Sequence, residues 1–169
     1  PLLMHEPPKD RHLYIVGVDP SEGDRGSDPS PCVVMDRMTL EPVAVWWGRK
    51  RPDRLAHTAR ALAHLYNKAH VIWEGNNHGL AFQIEFEKLY HDFYMRETSP
   101  GSVSKQVGEK PGFNTNVQSR HFLIDTARQC INDRMAKIRN PQLVAEIGWF
   151  YYDERGKPVA RKGKTDDVD

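Results

Sequence analysis

Runs of β-forming residues at short spacing constrain the fold of this chain more than any other feature. The segments HLYIVGVD (12–19), PCVVMDR (31–37) and EPVAVWWGRK (41–50) follow one another, and a turn-like MTLEP separates the second from the third. Runs of this kind joined by turn residues read as neighbouring antiparallel strands. The sequence therefore predicts a three-stranded antiparallel meander.

The hydrophobic period changes after this meander. Leu55, Ala59 and Leu62 recur at helical spacing, and Pro52 is typical of a first helical turn. The segment AHVIWEG (69–75) then reads as a fourth strand. Because a helix connects it to the meander, we expect it to lie parallel to the first strand.

The rest of the chain continues the alternation of helices and strands. Two further helices are predicted over HGLAFQIEFEKLY and NVQSRHFLIDTARQCINDRM, and a short helix precedes a predicted strand at Trp149 to Tyr152. Between the two longer helices, the sequence predicts a short strand over DFYMRE and a long surface loop over PGSVSKQVGEKPGFNT. The predicted fold is α/β: a mixed sheet of about five strands, the first three antiparallel, flanked by helices.

Length and composition suit one domain of a larger protein. The chain has 169 residues, enough for a single core. It starts without an initiator methionine, and it stops at TDDVD without a turn or cap. We therefore interpret residues 1–11 as the remnant of a linker from an upstream domain, and residues 12–169 as a domain truncated at its C-terminal end.

Net charge, cysteine content and the length of apolar runs limit which classes of protein this chain fits. The formal net charge is only +1, so any case for a nucleic-acid partner must be local. Two cysteines in no paired motif favour neither a zinc site nor a disulfide framework. No apolar run approaches the roughly 18 residues of a membrane span.

Acidic residues fall at the ends of the predicted strands. Asp19 ends the first strand and Glu74 ends the fourth, which the crossover places beside it. Ligand-binding groups in open α/β sheets gather at such strand ends. A third acidic group, Asp166, Asp167 and Asp169, closes the chain. Each feature alone has an ordinary structural reading as a turn residue, an edge charge or a helix N-cap.

Their combination indicates a metal site. Carboxylates brought together repel one another unless a cation lies between them. All-oxygen ligation suits Mg²⁺ or Mn²⁺. Two such ions can stabilise the attacking and leaving oxygens of a displacement at phosphorus, with a metal-activated water as nucleophile. We therefore expect Glu74 to hold metal.

The order of these motifs resembles a known family. YIVGVDPSEG, CVVMDR, VIWEGNNHG, GFNTN, RHFLIDTARQCI and GKTDDVD follow one another as in the nuclease domain of the large terminase subunit of tailed double-stranded DNA bacteriophages. The resemblance extends from about Tyr14 to Asp169. It implies an RNase H-like fold and a metal-dependent endonuclease that cuts concatemeric DNA during genome packaging.

The resemblance also assigns residues. It implies Asp19 as the first acid, and Glu74 as the second, with Asn76 or Asn77 and Gly79 beside it. It implies Asp166 or Asp167 as the third acid, with Asp169 still possible. The family often has His-Asp-Asp at that place, whereas this chain has Thr165 before its pair. The departure leaves a histidine role unsupported.

The resemblance implies partners as well. These are double-stranded DNA, an ATPase domain upstream in the same chain, the small terminase subunit and the portal, in the cytoplasm of an infected bacterial host. Candidate DNA contacts are Lys105 and Lys110 in the long loop, and Arg161, Lys162 and Lys164 before the terminal acids. The basic segment GRKRPDR (48–54) reads better as a solvated charged face.

Two other classes remain open at this point. One is a different RNase H-like nuclease, such as a junction resolvase or a transposase core. The other is a non-catalytic module, either an actin-like nucleotide-binding domain or a DNA-docking domain. Magnesium-dependent cleavage of plasmid DNA separates the nucleases from the non-catalytic module.

Overall fold

The protein is built on a mixed five-stranded sheet. A computed structural model describes residues 1–76, 78–96, 110–154 and 158–160. The strands of the sheet are β1 (Leu2–Met4), β2 (Tyr14–Val18), β3 (Ser30–Asp36), β4 (Glu41–Gly48) and β5 (His70–Trp73). Their spatial order is β1-β4-β3-β2-β5. The α/β class, the mixed sheet and the flanking helices agree with the prediction.

Four helices and two small strand pairs complete the described part. The helices are α1 (Pro52–Leu65), α2 (Gly79–Leu89), α3 (Val117–Asn132) and α4 (Pro141–Ile147). The strand pairs are β6 (Met95–Arg96) with β7 (Lys110–Pro111), and β8 (Phe150–Tyr152) with β9 (Pro158–Ala160), both antiparallel. None of the helices in these ranges is both long and apolar enough to cross a membrane.

The meander and the crossover are as predicted. β2 pairs antiparallel with β3, and β3 pairs antiparallel with β4. After α1, β5 returns parallel to β2, and Val18 is the register partner of Trp73. The carboxyl ends of β2 and β5 therefore lie side by side.

The core lies between the sheet and the first two helices. Leu55, Ala59 and Leu62, the positions that predicted α1, are buried. They pack in one cluster with the inward side chains of β2 and β5, and with Phe82 and Phe86 of α2. Trp73 stands against Phe82 and Phe86 with ring centroids 5.5 Å away in both cases. This packing fixes the end of β5, where Glu74 follows.

The N-terminal residues contribute an edge strand. β1 pairs antiparallel with β4, with Leu2 opposite Trp46 and Met4 opposite Ala44. Residues 1–11 therefore contain a strand of the sheet, where the sequence indicated only a linker. The side chains of β1 are all exposed, so the strand has no hydrophobic alternation by which it could be predicted. The division of the chain at residue 11 stays a prediction.

The middle of the chain differs in detail from the prediction. DFYMRE contributes a bridge from Phe93 to Val71 and then only the two residues of β6. The predicted loop, residues 100–115, contains β7, which pairs with β6. Residues 100–109 of that loop, and Glu97 at the end of DFYMRE, lie outside the described residues.

Candidate active site

Asp19 lies directly after β2, at the carboxyl edge of the sheet. Its backbone N–H donates to Pro31 O at 3.2 Å, which holds the residue against the start of β3. The next residues turn back on the same strand, because Ser21 N donates to Ser30 Oγ at 3.0 Å and the two serine hydroxyls lie 2.8 Å apart. Asp19 itself is half-buried.

Glu74 occupies the corresponding place after β5. Its backbone N–H donates to Val18 O at 3.1 Å. Since Val18 is the partner of Trp73, Asp19 and Glu74 stand at the next position of two adjacent parallel strands. Neighbouring strands lie about 4.8 Å apart. The predicted adjacency of the two strand ends is thus present in the structure.

A neighbouring amide orients the Glu74 carboxylate. Asn76 Nδ2 donates to Glu74 Oε1 at 2.9 Å and also to Thr115 O at 2.8 Å. The backbone between them is held too, since Gly75 N donates to Phe113 O at 2.6 Å and Phe113 N donates to Trp73 O at 2.7 Å. The carboxylate is therefore tied to a segment about 40 positions further along the chain. Asn77, the other predicted amide, lies outside the described residues.

Gly79 has a steric reason to be glycine. A Cβ atom at this position would collide with the carbonyl oxygen of Glu74 and lie 2.9 Å from its carbonyl carbon. The chain turns from Glu74 into α2 within five residues, and only a residue without a side chain lets the first turn of the helix approach so closely. The glycine of the EGNNHG segment thus shapes the turn that carries Glu74.

The third acidic group is not part of the described structure. Asp166, Asp167 and Asp169 lie outside the described residues, as do Lys105, Arg161, Lys162 and Lys164. Among residues 1–76, 78–96, 110–154 and 158–160, no group of three or more His, Cys, Asp or Glu side chains forms a metal cluster. The role of the terminal acids stays a prediction.

Lys110 is the one predicted DNA contact within the described ranges. It is exposed on β7, where it is the register partner of Arg96 on β6. Arg96 Nη2 lies 3.4 Å from the position that a Cβ atom would take on Gly75, directly after Glu74. Sequence reasoning did not find Arg96, because nothing in the local pattern around DFYMRE indicates that its side chain approaches Gly75, the residue after Glu74.

The basic segment 48–54 forms a charged surface. Lys50 Nζ donates to Thr58 Oγ1 at 2.7 Å, and Asp53 lies 3.2 Å from Arg51 Nε and 3.8 Å from Arg54 Nε. Lys50, Arg51, Arg54 and His57 line an open groove of about 670 Å³. The local acid and hydroxyl partners agree with the interpretation as a solvated charged face.

The chemistry available at this edge is that of oxygen ligands. Asp19 and Glu74 offer carboxylate oxygens, which fit hard divalent cations. A thiol nucleophile is not available from Cys32, because burial raises the pKa of that thiol far above its usual range. Asp19 and Glu74, at adjacent strand ends, therefore bring together the donor type that suits a divalent cation.

Comparison with known proteins finds similar folds among solved structures. No protein-family model matches the sequence, and no curated protein matches it. Among solved structures, the large terminase nuclease of thermophilic phage G20c with bound magnesium is 18% identical with a TM-score of 0.76, over 99% of this chain and 82% of that chain.

Two further structures extend the similarity. The large terminase nuclease domain of Thermus phage P74-26 is 18% identical with a TM-score of 0.68, over 99% of this chain and 80% of that chain. The human cytomegalovirus terminase nuclease domain is 11% identical with a TM-score of 0.54, over 92% of this chain and 78% of that chain. The chain has the fold of the large terminase nuclease domains.

Proposed function

We propose that this chain is the metal-dependent endonuclease domain of a viral DNA-packaging terminase, and that it cuts concatemeric double-stranded DNA. The observation that carries the proposal is the placement of Asp19 and Glu74 at the adjacent ends of β2 and β5. The similarity to terminase nuclease structures supports the same reading.

The charge of the site supports a divalent cation. Two carboxylates at neighbouring strand ends repel one another, and a cation between them removes that cost. Structures of the G20c nuclease have been solved with magnesium, cobalt and zinc bound. For this chain we propose Mg²⁺ or Mn²⁺, two ions in the active complex. When bound, these ions supply an activated water and stabilise the charge of phosphodiester hydrolysis.

Residues of the chain supply the proposed metal ligands, the orientation of Glu74 and the phosphate contacts. Asp19 and Glu74 are the proposed metal ligands, and Asn76 holds Glu74 in one orientation through its 2.9 Å hydrogen bond. We propose that the third ligand comes from the terminal acids, Asp166, Asp167 or Asp169. The proposed phosphate contacts are Lys105, Lys110, Arg161, Lys162 and Lys164.

The biological context follows from the same proposal. Double-stranded DNA is the substrate, and an ATPase domain precedes this one in the full protein. The small terminase subunit and the portal are the proposed packaging partners. The proposed location is the cytoplasm of the infected bacterial host.

Plasmid cleavage tests the proposal directly. The chain is incubated with supercoiled plasmid in EDTA, Mg²⁺ or Mn²⁺, beside Asp19→Asn, Glu74→Gln and a control, Asp10→Asn. The Asp10 side chain is 97% exposed, and the residue precedes β2 whereas Asp19 follows it. We expect cleavage only with metal, a loss of at least about 100-fold in both site variants, and wild-type activity in the control.

Two outcomes would contradict it. One is cleavage that persists in EDTA or in both site variants. The other is a folded protein, by circular dichroism, that neither cuts plasmid nor binds Mn²⁺ in a calorimetric titration. A parallel assay on four-way junctions distinguishes the resolvase alternative, which predicts a strong preference for the junction over linear duplex.

A further inference from the structure

A pair of cations stands beside the proposed active site. Arg96 of β6 and Lys110 of β7 are direct register partners in an antiparallel pair. Directly opposite residues in such a pair project from the same face, and like charges at these positions repel each other. The pairing therefore places two positive charges side by side, and the four described residues of β6 and β7 include no acidic side chain.

The strand pair is anchored to β5 and to Glu74. Tyr94 N donates to Val71 O at 2.9 Å, and Gly112 N donates to Tyr94 O at 2.9 Å. Phe113 then forms a parallel bridge with Glu74. The backbone that carries Arg96 is thus connected by hydrogen bonds to the strand that ends in Glu74.

Arg96 reaches the chain immediately after Glu74. Its Nη2 atom lies 3.4 Å from the place that a Cβ atom would occupy on Gly75. Because Gly75 has no side chain, the guanidinium can lie close to the backbone there. The positive charge of Arg96 is therefore held at the edge of the site, beside a proposed metal ligand.

The side chains of Arg96 and Lys110 have no hydrogen-bond acceptor among the described residues. Neither Arg96 nor Lys110 forms an ion pair with a carboxylate of residues 1–76, 78–96, 110–154 or 158–160. Arg96 Nε is buried and has no hydrogen-bond partner among the residues that the structure describes. Buried arginine donors are ordinarily paired, and a donor left without an acceptor calls for a ligand or an ordered water.

We propose that Arg96 is a positioning residue that binds a backbone phosphate of duplex DNA next to the bond to be cut, with Lys110 contributing to the same phosphate site. An arginine fork matches two phosphate oxygens at once, and the anion removes the repulsion between the two cations. The inference rests on the proposed function and deepens it, because it places the substrate backbone at the side of Glu74 where β6 and β7 lie.

DNA binding measured without metal separates phosphate binding by Arg96 from cleavage of the phosphodiester bond. A fluorescent duplex is titrated with the chain in EDTA over a series of salt concentrations, with fluorescence anisotropy as the readout. The variants are Arg96→Ala, Arg96→Lys and Lys110→Ala, with Arg60→Ala as the matched control. Arg60 is an exposed arginine of α1, and Arg60→Ala changes the net charge by the same amount as Arg96→Ala.

A phosphate contact predicts a specific pattern. We expect Arg96→Ala to raise Kd about tenfold and to reduce the slope of log K against log salt by about 0.9, the value for one phosphate contact. Lys110→Ala gives a smaller loss in the same direction. Arg96→Lys recovers most of the affinity, because it keeps the charge, but it cuts more slowly at saturating DNA because the bidentate contact is lost. Arg60→Ala binds as wild type.

Contrary results are equally clear. Wild-type affinity and salt slope in Arg96→Ala, equal losses in Arg60→Ala, or a wild-type chain that binds no duplex would each overturn the inference. If Arg96→Ala does not fold, Arg96→Gln replaces it, and the same criteria apply.

Failure of the phosphate site and failure of the nuclease function give different results. If wild type binds duplex with an Arg96-dependent salt slope but cuts no DNA in Mg²⁺ or Mn²⁺, the proposed nuclease function fails and the phosphate site stands. If wild type cuts and Arg96→Ala behaves as wild type, only the phosphate site fails.

Discussion

At the scale of single residues, the candidate site depends on a neutral amide as much as on its acids. The side chain of Asn76 is half-buried, and its Nδ2 donates both to Glu74 Oε1 and to Thr115 O. One side chain thus sets the orientation of the carboxylate and connects it to the segment after β7. Groups that orient a metal ligand contribute to metal affinity without touching the metal.

Removing this amide should weaken metal binding while the fold persists. For Asn76→Ala we expect Mn²⁺ affinity to fall by about 10- to 100-fold, because Glu74 loses the donor that fixes it. Calorimetric titration measures the affinity, and circular dichroism checks the fold. The control is Asn67→Ala, whose amide also donates to two backbone carbonyls, at 2.8 and 3.1 Å, but far from Glu74. Unchanged Mn²⁺ affinity in Asn76→Ala would contradict this role.

At the scale of elements, α3 is held by its N-terminus more than by packing. None of its residues is buried. Its cap is complete, because Asn116 Oδ1 accepts from the backbone N–H groups of Gln118 and Ser119 at 2.9 Å, and Ser119 Oγ accepts from Asn116 N at 2.8 Å. A helix with so little packing depends on local interactions of this kind.

Loss of the cap should therefore loosen this helix alone. For Asn116→Ala we expect the free energy of opening of α3 to fall by about 0.5–2 kcal/mol. Hydrogen exchange read by mass spectrometry should show faster exchange in α3 and unchanged protection in β2 and β5. Asn114→Ala, two residues before the cap, is the control. Equal loss of protection in the central sheet would show that α3 opens only with the whole fold.

At the scale of the whole molecule, the N-terminal segment is joined to residues far along the chain. Arg139 contacts Glu6 at 2.7 Å and Glu41 at 2.8 Å, and Tyr66 Oη donates to Glu6 O at 2.8 Å. A second connection is buried: Asp36, 1% exposed, lies 2.6 Å from His12 Nδ1. The N-terminal segment is therefore part of the folded body, and a buried carboxylate ties it there.

This carboxylate should make global stability depend on acid. Burial by itself would raise the pKa of Asp36, but the hydrogen bonds from His12 and the backbone N–H of Met38 outweigh it and lower the pKa. Because the folded-state pKa lies below the unfolded value of about 3.9, Asp36 stabilises the fold above that pH. The contribution is lost as the pH falls through the folded-state pKa.

Urea unfolding over a pH series measures the effect. We expect Asp36→Asn to unfold with about 1–3 kcal/mol less free energy than wild type at pH 7. The difference should narrow as the pH falls below about 4, because Asp36 of the unfolded wild-type chain then takes up a proton while the folded-state carboxylate, with its lower pKa, still resists protonation. Asp10→Asn, with its exposed carboxylate, should follow wild type throughout. A constant gap between Asp36→Asn and wild type down to about pH 3 would rule out this linkage.

The sequence by itself determined the frame and the adjacency of two acids. The meander, α1 and the parallel return of β5 follow from hydrophobic periods and from the rule that parallel strands require a crossover. Once Asp19 and Glu74 end those two strands, their proximity follows as well. These features could be predicted because each depends on local pattern or on chain topology.

Only the tertiary structure decided the surroundings of that pair. β1 joins the sheet with exposed side chains, Asn76 meets Thr115, and Arg96 approaches Gly75. Each of these contacts joins segments 20 or more residues apart through backbone groups or a single side chain. Such contacts add no periodicity to the sequence on either side, because hydrophobic patterns record which face of an element is buried and not which distant segment covers its end.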